Sequence, residues 1–391
     1  LEKLEMKKTL VALAALAVVG AASAQSSVTL YGKMDMSLNS RTEKATALGV
    51  TAKTKNNVGP EVNSSAQNGS RWGLKGTEDL GGGMSAKFIL ESGITADAGG
   101  GITGFNRTSM VGLSGGFGAI TLGTQYSPYD STLSGYDPHG ATGSSAWGYV
   151  LGAGSLNNLA ATPAAIAGFG GAKGANGFHA NGMQFGGRVT NSIMYATPNM
   201  GGFFAEAMWA PGENKNPVAG VAQQSASSYA GFRAGYNNGP LGVTLGYESL
   251  KTAAGGNTSD KTTAWALAAQ YDLGVAKVHA IYERAKNDGA AVGGIAGIAD
   301  GTDSGWGLGV SIPLGSVNVG LSYARETHDS ETVGLRDGRT SAFGVQAIYP
   351  LSKRTRLYTS YVNGKSQNAA VAGAAVSTKT SAWNVGMQHD F

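Results

Sequence analysis

Three arginines carry most of the chemistry this sequence offers. Arg71 stands in G-S-R-W-G, Arg107 in F-N-R-T-S and Arg188 at the head of R-V-T-N-S-I, each on or at the start of a short stretch readable as β-strand. A guanidinium keeps its charge at any ordinary pH. Three of them facing one water-filled interior would therefore gather anions rather than turn a substrate over. No catalytic set accompanies them. The five histidines, His139, His179, His279, His328 and His389, are scattered without metal-ligand spacing, and there are no cysteines to hold a metal or form a disulfide. Glycine runs such as Gly99–Gly101 lack the trailing Lys-Ser/Thr of a phosphate loop. A lipid-facing Ser/His pair, which a barrel phospholipase would need, is not visible either. Neither a cofactor nor an enzymatic activity is expected.

For the arginines to share an interior, the elements that carry them must be strands that close on one another. Period-two alternation recurs from Val28 onward. Val28, Leu30, Met34, Met36 and Leu38 share one face, and Thr29, Tyr31, Lys33, Asp35 and Ser37 share the other. In 84–91, Met84, Ala86, Phe88 and Leu90 oppose Ser85, Lys87, Ile89 and Glu91, and the last nine residues alternate in the same way. Arg71 falls in step with Gly73 and Lys75, opposite Trp72 and Leu74. On a lipid face near the midplane an Arg costs about 2–4 kcal/mol, so Arg71 should point into water if Trp72 points into lipid.

Composition and the connections between strands set the class. Of the 391 residues 62 are glycine and only 14% are charged, and the net charge of +4 is too small for the dense basic face of a nucleic-acid binder. After a short leader, Met6 to Ala24 reads as a secretory signal: two lysines, an apolar run from Leu10 to Val19, and Ala22-Ser23-Ala24 before the cleavage point. The expected organisation is 1–24 as leader and signal peptide, with 25–391 as one barrel. Beyond that segment no run is long enough for a membrane helix, so a membrane-embedded mature chain must be β-structure.

Short turn-like links alternate with long polar loops. The turns fall at 78–83, 114–117, 198–201, 237–240, 272–274, 313–315 and 350–353, and the loops at 39–67, 94–104, 126–186, 211–227, 251–261, 287–303, 327–339 and 364–379. Fifteen connections join sixteen antiparallel strands with both ends on the short-turn side, the pattern of an outer-membrane barrel. Tyr31, Tyr195, Tyr247, Tyr271, Tyr323, Tyr349, Trp383 and Phe391 cluster near strand ends, where interfacial girdles belong.

Several blocks carry a family likeness: 26–38, 69–93 with its R-W-G-L-K-G-T-E-D-L-G-G-G run, 105–130, 188–209 and the closing V-G-M-Q-H-D-F. Through these the chain resembles the general-diffusion porins of Gram-negative bacteria, especially the β-proteobacterial branch. The resemblance implies a sixteen-stranded barrel in the cell outer membrane, a homotrimer with three pores, and a long third loop folded inward. It implies contacts with outer-membrane lipids and lipopolysaccharide. It gives Arg71, Arg107 and Arg188 the role of a basic constriction wall with Glu91 as acidic neighbour, and makes Phe391 similar to the signal presented to the outer-membrane insertion machinery. Thr124 stands where the family often has another Arg.

In that frame Asp130 and Asp137 are the carboxylates that the third loop would bring to the constriction, and Lys33, Asp35, Lys75, Lys87 and Arg233 line the pore. Basic side chains then outnumber acidic ones, and a passive channel for small hydrophilic solutes and ions with weak anion preference is expected. The alternative is a substrate-specific channel for a sugar or organic acid with the same architecture.

Overall fold

The structure, a computed structural model, describes residues 27–47, 53–101, 104–151 apart from 141, 143 and 144, 187–212, 228–253, 259–288, 301–330, 337–368 and 376–391. The expected signal segment lies outside the described residues. Seventeen strands follow in order: β1 (Ser27–Ala47), β2 (Lys53–Ser64), β3 (Arg71–Gly81), β4 (Met84–Gly93), β5 (Ser109–Gly115), β6 (Gly118–Tyr126), β7 (Arg188–Ala196), β8 (Phe203–Ala210) and β9 (Ser228–Asn238), then β10 (Leu241–Ala253), β11 (Ser259–Asp272), β12 (Lys277–Asp288), β13 (Gly301–Leu314), β14 (Val317–Ser330), β15 (Gly338–Pro350), β16 (Thr355–Asn368) and β17 (Val376–Asp390).

Every pairing between neighbours is antiparallel, and β1 closes the sheet by pairing β17 from Lys33↔Asp390 to Ala47↔Val376. On its other side β1 pairs β3 over 27–33 and β2 over 36–46. Thus β2 and β3 are two halves of one stave, and the closed barrel has sixteen. Between the halves, residues 65–70 turn inward: Ala66, Gln67 and Ser70 are buried, and Asn68 Nδ2 donates to Gln388 Oε1 at 3.0 Å.

Closure explains the sorting of side chains. A backbone in hydrocarbon must find all its hydrogen bonds within the sheet, and only a cylinder has no free edge. The outward set is apolar: Val28 is 65% exposed, Leu30 59% and Val111 56% in the isolated chain. Such a surface is untenable in water and appropriate in lipid. Tilted aromatic pairs ring it, including Phe232–Tyr247 at 5.6 Å and Trp265–Tyr282 at 5.3 Å between ring centroids.

The strands run further than alternation in the sequence indicates. The segments 39–67, 251–261, 287–303, 327–339 and 364–379 are not wholly loop, because β1 reaches Ala47, β2 occupies Lys53–Ser64, and the β10/β11, β12/β13, β14/β15 and β16/β17 hairpins extend into the other four. Above the membrane both faces of a hairpin meet water, so the apolar/polar contrast vanishes while the ladder continues.

Among the described residues the larger of two packed clusters lies in the lumen. The third loop leaves β6, forms α1 (Pro128–Gly135) and α2 (Ala146–Leu151), and lies along the inner wall from β8 to β16. Ser127 caps α1, its side chain accepting from Asp130 N at 2.9 Å, and Pro128 supplies a preset φ at the first helical position. Tyr129, Leu133, Trp147, Val150 and Leu151 are fully buried against Ala264, Ala266, Ala268 and Ala324 of the wall. Inward glycines of β13 make the seats. A Cβ on Gly305 would lie 2.5 Å from Leu151, and one on Gly307 2.5 Å from Trp147 Nε1. Trp147 Nε1 also donates to the Leu308 carbonyl at 3.3 Å.

Truncating a buried Trp to Ala costs about 3–5 kcal/mol. Trp147→Ala should therefore release the loop from the wall while leaving the barrel closed. Limited proteolysis in detergent is expected to cut the variant within the third loop at conditions that leave the wild type whole, with heat-modifiable migration unchanged; equal resistance of the two proteins would contradict this account of loop docking.

Candidate functional site: an arginine cluster on the inner wall

Arg71 is the first residue of β3, Arg188 the first of β7, and Arg107 lies two residues ahead of β5. The β3–β4 register places Gly73 opposite Glu91, so Glu91 projects into the lumen between the three. All three guanidinium groups reach this one carboxylate: Arg107 Nε lies 2.6 Å from Oε1, Arg71 Nε 3.3 Å from Oε2 and Arg188 Nη2 3.7 Å from Oε1. Tyr31 Oη donates to Oε2 at 3.1 Å. Backbone bonds fix the approach, with Arg107 N donating to the Glu91 carbonyl at 3.0 Å and Glu91 N to the Thr108 carbonyl at 2.7 Å. Three cations on one anion leave an excess of two positive charges in a partly desolvated wall.

Neighbouring groups hold the guanidiniums in place. Arg188 lies over the Tyr126 ring at 3.9 Å and donates to its hydroxyl at 2.6 Å. Arg71 Nη1 donates to the Gly69 carbonyl at 3.2 Å, and a Cβ on Gly69 would come within 2.8 Å of Arg107 Nη1. Residue 69 must be small for this packing to persist.

The basic wall continues to either side. Lys33 is directly opposite Arg71 in the β1–β3 ladder and lies 3.5 Å from Asp390, which Arg356 also meets at 2.8 Å. Lys75 is over the Tyr31 ring at 5.1 Å, and Lys87 shares the inward parity of Glu91. Asp35 adds no charge to the water path. It is fully buried beneath 65–70, accepting from Tyr358 Oη at 2.6 Å and Asn68 N at 2.8 Å. Arg233 is neutralised by a two-pronged contact with Glu206, at 2.6 and 2.8 Å, and donates to the Ser131 carbonyl at 3.4 Å, which makes it a support for α1.

The loop carboxylates are the main departure from the sequence-based picture. Asp130 and Asp137 are both buried. Asp130 accepts from Gly187 N at 3.0 Å while Ser127 N donates to the Gly187 carbonyl at 2.9 Å, so the two ends of the loop are tied together just ahead of Arg188. Asp137 accepts from His139 N and Ser145 Oγ, each at 2.8 Å, and its Oδ2 has no hydrogen-bond partner among the described residues. Burial raises the carboxyl of Asp130 above its usual range and that of Asp137 to about 7. Acidic residues on the covered wall are likewise shielded, with Glu248 and Glu283 buried under hydrogen bonds from Tyr229 and Tyr129 at 2.9 and 3.1 Å.

Tyr31, expected at an interfacial girdle, instead faces the lumen in step with Lys33, where Glu91 accepts from its hydroxyl. Sequence reasoning missed Arg356, Tyr126 and Gly69 as parts of this wall. Arg356 was within reach, since it stands in step with the inward Tyr358 and Ser360 of β16. The other two depend on packing between strands. Among the described residues no group of three or more His, Asp or Glu side chains could hold a metal ion.

Comparison with known proteins agrees with this architecture. Residues 9–369 match the Gram-negative porin family. The chain is 36% identical over 374 residues to outer membrane porin protein 32 of Delftia acidovorans, covering 94% of this chain and 92% of that one. It is 30% identical over 421 residues to an outer membrane porin protein of Bordetella pertussis, covering 99% of this chain and 100% of the relative. Among solved structures, an anion-selective porin from Comamonas acidovorans superposes with a TM-score of 0.66 at 29% identity, covering 94% of this chain and all of that one. OmpT of Vibrio cholerae, at 13% identity and a TM-score of 0.61, shares the fold.

The buried Asp137 makes loop docking depend on pH. A free Asp titrates near about 3.9, and the docked one at about 7. Between these values the docked state holds the extra proton, so docking is strongest below the lower value and weakens as pH rises through the window. Loop proteolysis of the folded barrel is expected to be faster at pH 8 than at pH 5, with Asp137→Asn flattening the dependence although His139 and His279 remain. An unchanged slope in that variant would refute the assignment to Asp137.

Proposed function

Since the chain belongs to the Gram-negative porin family and lies in the outer membrane, we propose that it is a general-diffusion channel that passes small hydrophilic solutes and ions and prefers anions. The observation that carries this reading is the convergence of Arg71, Arg107 and Arg188 on the single carboxylate of Glu91, with the third loop's acids buried rather than presented to water. A narrow passage lined by excess charge of one sign concentrates counter-ions, and low-dielectric walls focus the field. The Comamonas relative, described as anion-selective, fits the same reading.

Solutes follow the inner wall formed by β16, β17, β1 and β3–β7, because the loop covers the wall from β8 to β16. Along that path the cations Arg356, Lys33, Arg71, Lys75, Lys87, Arg107 and Arg188 outnumber the inward carboxylates Asp390, Glu91, Asp79 and the buried Glu43. No bond is made or broken, and a succession of weak sites suits conduction better than one deep well.

We further infer a homotrimer. On the outward face from β3 to β8, Leu74, Val111, Leu113, Ile120, Leu122 and Ile193 are apolar, and among the described residues no Lys or Arg points outward there. That sector suits contact with further copies of the chain. At the carboxyl end, Phe391 exchanges two backbone hydrogen bonds with Gly32, at 2.9 and 3.0 Å, and its ring covers the space above Gly32. This outward, sheet-edge position fits a terminal aromatic read by the insertion machinery before β1 and β17 join.

Zero-current potentials in a planar bilayer under a KCl gradient test the selectivity. The wild type is expected to give a chloride-to-potassium permeability ratio above one, and Arg71→Gln with Arg107→Gln to lower it severalfold, roughly in line with the loss of two charges from the arginine cluster. Glu91→Gln should move the ratio the other way, since it removes the counter-charge and leaves the guanidiniums. A wild-type ratio below one overturns the proposal.

A further inference from the structure

The ladder beside β1 breaks in the middle of a stave. Met36 pairs with Ser64 and Lys33 with Arg71, so the six residues 65–70 stand where a continuous strand would need only two to face Met34 and Asp35. The surplus folds into the lumen. Ser65, with φ at 68°, takes the left-handed conformation at which the chain leaves the wall, and its Oγ accepts from Ser70 N at 2.8 Å, closing the turn at its base. Both ends of the turn are bound to one residue of β1. Ser65 N donates to the Asp35 carbonyl at 2.9 Å, and Ser70 Oγ accepts from Asp35 N at 3.0 Å.

The Asp35 side chain ties this turn to a distant strand. Its carboxylate is fully buried and accepts from Asn68 N at 2.8 Å and from Tyr358 Oη at 2.6 Å. A carboxylate withdrawn from water persists only where donors replace its hydration, and here they come from the turn and from β16. The tip of the turn then reaches two basic groups at once. Asn68 Nδ2 donates to Gln388 Oε1 at 3.0 Å, and Gln388 Nε2 donates to Asp390 Oδ1 at 3.0 Å, the carboxylate on which Lys33 and Arg356 meet. On the other side the Gly69 carbonyl accepts from Arg71 Nη1 at 3.2 Å, and Arg107 Nη1 packs over Gly69, 2.8 Å from where a Cβ would stand.

We propose that the 65–70 turn is a second narrowing element, on the side of the lumen that the third loop leaves uncovered, and that Asp35 is its positioning residue. This buried carboxylate sets ion preference through the cations held by the turn and not through its own charge. The role rests on the reading of the barrel as a channel with a basic wall. Its test uses only changes from the wild type, so a wild-type preference for cations would sink the anion-selective reading and leave this one standing.

A positioning role and a lining role for Asp35 differ in sign. Removing an acid that faces the water path favours anions. Asp35→Ala removes the charge but also leaves Asn68 N and Tyr358 Oη without their acceptor, so the turn comes away and the guanidinium groups spread. Zero-current potentials under a KCl gradient should then give a chloride-to-potassium ratio lower than the wild type's by roughly a factor of two, with a raised single-channel conductance. Asp35→Asn loses the same charge and keeps the turn, since its amide oxygen accepts from Asn68 N while its Nδ2 donates to Tyr358 Oη. Its conductance should match the wild type's, and its ratio should equal or exceed it. Heat-modifiable migration in both variants would confirm closed barrels. Should Asp35→Ala fail to fold, Tyr358→Phe, which removes one donor and keeps the ring over Gly386, should lower the ratio in the same direction by less. A ratio that rises or stays unchanged in Asp35→Ala, an equal fall in Asp35→Asn, or an unchanged ratio in Tyr358→Phe would overturn the assignment.

Discussion

A peptide group in hydrocarbon has no water to fall back on, and nearly everything in this molecule descends from that fact. Each N–H and C=O must be matched within the sheet, so the sheet must close, and the place where it closes is β1. That strand takes β17 on one side and the two halves of the β2/β3 stave on the other. Once the cylinder is shut, the two-residue period of a strand assigns each alternate side chain to lipid or lumen. The inward position of Arg71 and Glu91 is thus a consequence of ladder register, and so is the outward position of Trp72 and Leu90.

Within the lumen the same sorting leaves a surface that a loop can exploit. Alanine and glycine predominate on the inner wall of β11 and β13, where Ala264, Ala266, Ala268, Gly305 and Gly307 leave room for the tyrosines, Trp147 and Leu151 of the third loop. The loop does more than narrow the passage. By lying over Glu248 and Glu283 it withdraws negative charge from the water path, while the wall from β16 round to β7 is left uncovered and its partly buried cations face the lumen. The charge asymmetry of the channel therefore comes from which half of the barrel is covered, more than from the overall net charge of +4. Asp137 follows the same logic, since a carboxyl pushed to about 7 by burial contributes little charge when docked at low pH.

The parts legible in the sequence are those governed by period two. Val28 to Leu38 and Met84 to Glu91 announce their faces because one side of each meets hydrocarbon. The seven short turns are legible because Gly, Pro, Asn and Asp have few other uses. The upper hairpins are not, since above the girdle the outward residues are polar as well, with Thr42 and Lys44 in step with Leu38, so alternation there no longer separates apolar from polar. The break at 65–70 is hidden for a different reason: its inward turn depends on Asp35, Tyr358 and Gln388, which lie at opposite ends of the chain. Asp130 and Asp137 look like pore charges because a carboxylate in a polar loop is ordinarily solvated; their hydrogen bonds to Gly187, His139 and Ser145 appear only when the loop is folded against the wall.

The absence of cysteine from the sequence allows the central claim, that a closed ladder points the guanidinium trio into one aqueous path, to be tested by thiol chemistry. Single-cysteine variants Arg71→Cys, Arg107→Cys and Arg188→Cys, and Trp72→Cys and Leu74→Cys as outward counterparts, would be exposed to a membrane-impermeant anionic thiol reagent during bilayer recording. The account predicts a stepwise fall in conductance for the first three and none for the last two. Block at position 72 or 74 with none at 71 would place the sorting the other way round and contradict it.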